Sequence, residues 1–240
     1  MCRRTRTHRK RGGGGIRASK PKETPLPPAK KYIFFDMDGT LLYRNDILGQ
    51  MDLHERRMRK DPTLKKEDWR AKESDVVPRP DKFWEPSSTF YYLRPGVKEA
   101  LEYANAHADE VYAFSASSTA KGTLEFVGLS HYFKDVFGLE ATQLRSDKTG
   151  YHVFHKLLES VHSHLSMAPT DKLFMIDHHP EWIIPSCPND IIIPIKSFMP
   201  NYKLYGVQFM KHDKSDPDPT EELPMETTLL DVVRSIFEHS

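Results

Sequence analysis

Cysteine is nearly absent. Cys2 and Cys187 are the two thiols in 240 residues, too few for a disulfide-built scaffold, so an intracellular setting, cytoplasmic or nuclear, is expected. Long apolar runs are lacking as well. Nothing approaches twenty consecutive hydrophobic residues, which excludes an ordinary spanning helix and leaves no membrane partner expected. No apolar stretch follows the first basic residues, so a secretory signal is not expected either. Net charge is close to zero at a formal +1, yet that total conceals a split. Residues 1–31 hold eleven Lys/Arg against Glu23 alone, while the other 209 residues hold 24 basic and 33 acidic side chains.

What is present suits one α/β domain preceded by a tail. Hydrophobic residues make up 38% of the chain and charged residues 29%, enough apolar surface for a core. Residues 1–30, with four consecutive glycines and little that is apolar, read as a disordered basic tail that cannot offset the entropy of ordering. Such a tail is a candidate polyanion or nucleic-acid binder, a nuclear address, or a solubilising segment. The domain is expected over 31–240. Tyr32 to Phe35, Val111 to Phe114, Leu173 to Ile176 and Ile191 to Ile195 are short apolar runs of the kind buried on both faces of a parallel sheet. Val136-Phe137 is a weaker strand candidate, and Trp84 to Tyr92 has strand character. Val97, Ala100, Leu101 and Ala104 form a helical stripe after Arg94-Pro95-Gly96, and another helix is expected through Phe126. Val153, Leu157, Leu158, Val161 and Leu165 suggest a helix within 148–165. Leu229, Leu230, Val233, Ile236 and Phe237 stripe a last one, after an acidic loop over 211–226. No internal repeat is visible. Strands alternating with helices imply a central parallel sheet, and ligands of such sheets bind beyond the carboxyl ends of the strands. Asp36, Ser115 and Asp177 all fall at such ends.

Asp36-Met37-Asp38-Gly39-Thr40 is the most specific motif; a D-x-D-G-T match arises on the order of once in a few hundred random chains of this length. A calcium loop would need Gly at position six and Glu at twelve, where Leu41 and Ile47 stand. Two carboxylates two residues apart at a strand end can divide the work of phosphoryl transfer. One attacks phosphorus; the other protonates the leaving oxygen and then activates water. Their repulsion of a phosphate calls for positive charge, for which magnesium is the usual source.

The chain resembles the haloacid-dehalogenase-like (HAD) phosphohydrolases, whose four motifs can be placed in order on Asp36-Met37-Asp38-Gly39-Thr40, on Ser115 in VYAFSAS, on Lys148 in RSDKTGY and on Asp177 in LFMIDHHPE. The resemblance implies a HAD-like (Rossmannoid) three-layer α/β sandwich, with a small helical or hairpin insertion over 43–90 after the first strand. It implies Asp36 as nucleophile, Asp38 as acid and base, and Thr40, Ser115, Ala116 and Lys148 around the phosphate. Magnesium would be held by Asp36, Asp38 and Asp177. Leu93-Arg94-Pro95-Gly96-Val97, Phe114-Ser115-Ala116-Ser117 and the closing TTLLDVVRSIFEHS are similar to the phosphatases of the RNA polymerase II C-terminal domain, which implies a phosphoprotein substrate. The chain departs from that branch at Gly39, where Glu is usual, and at His178, where Asp or Asn is usual; Glu181 is then the candidate second acid.

Alternatives stay open. Lys134, Lys156 and Lys172 compete with Lys148, and Ser117 replaces Ser115 if the register slips by two. Residues 52–74 with Trp69 are either a lid or a solvated insertion. His152, His155, His162 and His164 read as an exposed helical surface and not as a metal site. Asp177-His178-His179 invites a DHH-type manganese phosphoesterase, which would need further His and Asp ligands upstream. A 3′-phosphatase of nucleic-acid ends, a small-molecule phosphatase and a non-catalytic HAD-fold binding protein complete the field.

Overall fold

The computed structural model describes residues 28–46, 76–77, 79–85, 89–146, 152–198, 200, 203–204 and 228–238. In chain order these form β1 (Lys31–Phe35), β2 (Leu42–Asp46), β3 (Val76–Val77), β4 (Lys82–Trp84), β5 (Thr89–Leu93), α1 (Val97–His107), β6 (Glu110–Phe114) and α2 (Ala120–Val127). There follow β7 (Asp135–Phe137), β8 (Thr142–Ser146), β9 (His152–Leu157), α3 (Leu158–Leu165), β10 (Lys172–Asp177), β11 (Ile183–Ile184), β12 (Asp190–Pro194), β13 (Lys203–Leu204) and α4 (Leu229–Glu238).

Five strands make a parallel sheet in the order β12-β10-β1-β6-β7. Each central strand sends alternate side chains to opposite faces. Ile33 and Phe35 of β1, Val111 and Ala113 of β6, and Phe174 and Ile176 of β10 pack with α1, α2 and α4. Tyr32 and Phe34, Tyr112 and Phe114, and Leu173 and Met175 pack on the other face with Leu158 and Val161 of α3. Three layers result. The aromatic rings of the second face interlock: Phe34 stacks on Tyr112 at 4.9 Å and meets Phe137 at 5.5 Å. Burial on both faces explains why these strands are continuous apolar runs instead of alternating ones. α1 buries Val97, Ala100, Leu101 and Ala104 as its stripe predicts. α4, whose first turn is closed by reciprocal bonds between Thr228 and Asp231, packs against it.

Among the described residues, two three-stranded sheets and the two-stranded pair of β13 and β3 accompany the main one. β2, β5 and β4 form an antiparallel unit, so the strand character of 84–92 is real but divided between two strands. β8 pairs antiparallel with β9, which pairs in parallel with β11. This second unit corrects the helix expected over 148–165. His152 to Leu157 is a strand, and the helix begins at Leu158. Val153, Leu157 and Leu158 fit a helical period by coincidence; HVFHKL has no strict alternation, and pairing with β8 on one edge and β11 on the other makes it a strand. The basic tail up to residue 27, Trp69 and its surroundings, Lys148 and the acidic loop over 211–226 lie outside the described residues. Among those described, no helix is long and apolar enough to cross a membrane.

Candidate active site

Three carboxylates meet where β1 and β10 end. Asp36 follows β1 directly, its amide donating to the Ile176 carbonyl at 2.9 Å, and Asp177 closes β10. Asp36 is 6% exposed and Asp177 2%. Between them lies a single ammonium. Lys156 Nζ donates to Asp36 Oδ1 and to Asp177 Oδ2, at 2.6 Å in each case. Asp36 Oδ2 accepts from Thr40 Oγ1 at 3.0 Å and faces His178 Nδ1 at 2.9 Å. Asp177 Oδ1 accepts from the His179 amide at 2.7 Å.

After Asp36 the chain turns sharply: the amides of Leu41 and Leu42 return to the Met37 carbonyl, and Gly39 holds φ at +77°. A Cβ at Gly39 would stand 2.8 Å from His178 Nε2, so the imidazole lies over a position that only glycine leaves open. Arg94, 1% exposed, secures the turn from below. Its Nη2 donates to the carbonyls of Gly39 at 2.8 Å and Lys196 at 2.5 Å. The arginine of the LRPGV segment therefore positions the loop. Asp38 leans over the mouth with Oδ1 3.7 Å from Arg44 Nε; that oxygen is closed off from solvent and makes no hydrogen bond.

The carboxylates are pushed in different directions. Burial raises the Asp36 carboxyl, but the charge of Lys156 and the hydrogen bonds from His178 and Lys156 outweigh it, so Asp36 falls below the ordinary range and stays ionised. Asp38 is raised, chiefly by burial and further by Asp36, with Arg44 opposing. Burial and the Asp36 charge raise Asp177 against the pull of Lys156. Burial opposes protonation of His178, yet its hydrogen bond to Asp36 and the two acidic neighbours raise it above the ordinary histidine value.

The expected residues fall as follows. Asp36, Thr40 and Asp177 lie together, Thr40 on Asp36 and Asp177 joined to Asp36 through Lys156, while Asp38 lies beside Arg44. Ser115, 3% exposed, ends β6 beside β1 and accepts from the Ser117 amide at 3.2 Å, with Ala116 next to it. Ser117 Oγ lies 3.0 Å from Thr119 Oγ1. Lys148 is outside the described residues; Lys156, one of its rivals, reaches the carboxylates. No local pattern in HVFHKL singled it out; its place comes from the pairing of β9 with β8 and β11. Glu181 does not supply a second acid: it is bound to His179 at 2.9 Å, and His179 stacks on Trp182 at 3.7 Å. Only one of the two adjacent histidines thus faces the carboxylates.

In fold, the chain is similar to HAD-superfamily hydrolases. Among the similar solved structures is a HAD-superfamily hydrolase, subfamily IA variant 1, from Geobacter sulfurreducens PCA, at 17% identity and TM-score 0.36 over 62% of this chain and 80% of that one. Fcp1, an essential RNA polymerase II CTD phosphatase, shares 16% identity at TM-score 0.39 over 72% of this chain, which spans 43% of it. A haloacid dehalogenase-like family hydrolase from Xanthomonas campestris shares 13% at TM-score 0.36, over 62% and 74% of the two chains. Neither a family model nor a curated protein matches the sequence. The chemistry of the site follows from its own residues. Asp36, Asp177 and His178 present donor atoms within 4.8 Å of one another. The two carboxylates fit a hard, oxygen-seeking cation such as magnesium, whereas the imidazole does not.

Proposed function

We propose that this chain is a phosphomonoester hydrolase working through an aspartyl-phosphate on Asp36. The observation that carries this reading is geometric: buried Asp36 shares Lys156 Nζ with Asp177 at 2.6 Å on each side, and Asp38, two residues on, keeps a buried oxygen free of hydrogen bonds. Against the effect of burial, Lys156 and His178 lower the Asp36 carboxyl, while burial raises that of Asp38. Opposed protonation is what a nucleophile and a general acid require. An Asp36 oxygen forms the new bond to phosphorus as the ester P–O bond breaks, and the leaving oxygen takes the proton of Asp38. Water then gives a proton back to Asp38 and attacks phosphorus, which frees Asp36 and inorganic phosphate. Ser115 and Lys156 receive the phosphoryl oxygens, Lys156 in the role expected of Lys148. Asp36, Asp38 and Asp177 would hold magnesium, which supplies positive charge against the mutual repulsion of carboxylates and phosphate.

The test is Asp36→Asn with an aryl phosphate. Turnover should fall by at least about a thousandfold with the fold intact, and unchanged turnover would end the covalent mechanism.

The preferred substrate class is a protein phosphorylated on serine or threonine, supported by the resemblance of the LRPGV and FSAS segments. Phosphopeptides should then exceed sugar phosphates and 3′-phosphorylated oligonucleotides in kcat/KM; the reverse order would transfer the assignment to one of those classes. Nucleic acid as a partner rests on the basic tail, and a cytoplasmic or nuclear site of action on the tail and the scarcity of cysteine. Removing residues 1–30 should weaken binding to nucleic acid and flatten its salt dependence if the tail is the binder.

A second reading, a binding protein that has kept the fold, is favoured by His178, whose ring contacts Asp36 Oδ2, one of the two oxygens available to a nucleophile. It predicts neither hydrolysis nor an adduct with beryllium fluoride. A DHH-type enzyme would require manganese and both histidines at the metal, and His179 is engaged with Glu181 and Trp182.

A further inference from the structure

A second set of ligating side chains lies away from the carboxylates just described. Asp190 opens β12, opposite Leu173, whereas Asp177 pairs with Pro194 at the other end of the same ladder. Four strand residues separate the two levels, roughly 13 Å. His162 comes from the last turn of α3 and Cys187 from the loop leading into β12. His162 Nε2 lies 2.5 Å from Asp190 Oδ1, and Cys187 Sγ lies 3.4 Å from that oxygen and 3.8 Å from that nitrogen.

Thiol, imidazole and carboxylate together invite comparison with a nucleophilic relay. A relay needs the acid on one ring nitrogen and the thiol on the other. Here both face Nε2, so the three atoms converge on one point, which is the pattern of a chelate. Tetrahedral zinc, with bonds of about 2.3 Å to sulfur and about 2.05 Å to nitrogen or oxygen, sets its ligands about 3.6 Å (S to N) and about 3.4 Å (N to O) apart. The thiol already sits at those separations. Only His162 and Asp190 must part, by about 0.9 Å, as a cation takes the place of the proton between them. The acid is also aimed in advance. Asp190 Oδ2 accepts from the Ser186 amide at 2.6 Å, the Cys187 amide at 3.0 Å and Ser186 Oγ at 3.2 Å, which leaves Oδ1 as the ligand atom.

We propose that His162, Cys187 and Asp190 form a site for a thiophilic divalent cation of the zinc class, tying α3 to the start of β12, with the fourth position left to water. The sulfur and imidazole donors select against magnesium, so this site and the carboxylate cluster take different ions. Binding releases the Cys187 proton to solvent as the thiolate–metal bond forms, and the proton between His162 and Asp190 leaves Nε2 for the ring's Nδ1 or, from an imidazolium, for solvent.

Cobalt(II), a coloured surrogate, tests it on the full chain. A thiolate-to-cobalt charge-transfer band should rise to one equivalent, remain in Cys2→Ser and in Asp177→Asn, and vanish in Cys187→Ser. In chelator competition, His162→Ala should bind zinc at least about tenfold more weakly than the parent. No thiolate band in the parent protein under excess cobalt, or a band that survives Cys187→Ser, would overturn the site.

Discussion

Asp36 and Asp190 each face an imidazole, at 2.9 Å and 2.5 Å, yet the rest of their surroundings differ in kind. Around Asp36 stand side chains that can change charge or swing away: Lys156, His178 and the Thr40 hydroxyl. Around Asp190, besides the Cys187 thiol 3.4 Å from Oδ1, stand two backbone amides and one hydroxyl from its own loop, all on Oδ2. A carboxylate held by ionisable partners responds to protons and to an arriving phosphate. One held by amides keeps its charge and its direction. The first suits turnover, the second suits holding an ion or a loop.

Removing the cation is the strongest way to break the comparison. Lys156→Met leaves Asp36 and Asp177 buried without the ammonium they share, and unfolding free energy should drop by about 3–5 kcal/mol in urea titration. A loss below about 1 kcal/mol would mean that protonation of Asp177 absorbs the change. Gly39→Ala comes next. Positive φ and the approach to His178 should cost about 1–3 kcal/mol, read from the melting temperature, and the His178 ring signals should shift in NMR. An unshifted ring would deny the packing over Gly39.

Asp190→Asn should cost about 1.5–3 kcal/mol at neutral pH, the range of hydrogen bonds to a charged group. Burial raises the Asp190 carboxyl, but the amides of Ser186 and Cys187 and the His162 ring bring it below its ordinary value. The unfolded chain therefore binds the proton more readily. The stability so contributed is complete above about pH 4 and lost as pH falls through the lower folded value. Acid titration of stability should be steeper in the parent than in Asp190→Asn; equal slopes would remove the amide clamp.

His178→Gln should give the smallest effect, with the opposite sign. A raised imidazole contributes stability that is fully present below about pH 6.5 and declines as pH rises through the folded value. The parent should lose stability across that window and the variant should not. A parallel decline in both would place the titration elsewhere.

Much of this was legible in the sequence because the strands of a doubly covered sheet leave a local imprint. The runs ending at Phe35, Phe114 and Ile176 are apolar throughout, and each is followed by the polar residue that the sheet delivers to its carboxyl edge. α1 and α4 announce themselves by stripes that are buried along one side. The segment 152–157 was less legible. Its few apolar residues fit either period, and its strand identity comes from β8 and β11, ladders that no local pattern encodes. Arg94 was recognisable as part of a motif, but its bonds to the carbonyls of Gly39 and Lys196, one of them a hundred residues away in the chain, were not.

By itself the sequence determined the five-strand frame, the pair Asp36 and Asp38, and Asp177 at the end of a neighbouring strand, since burial on two faces and a tight turn are written in consecutive residues. Tertiary structure alone decided that Lys156 is the ammonium between Asp36 and Asp177. It also decided that His178 and not His179 faces the carboxylates, and that His162, Cys187 and Asp190 share a point in space. Those choices depend on which strands and loops become neighbours, and spacing along the chain carries no record of that.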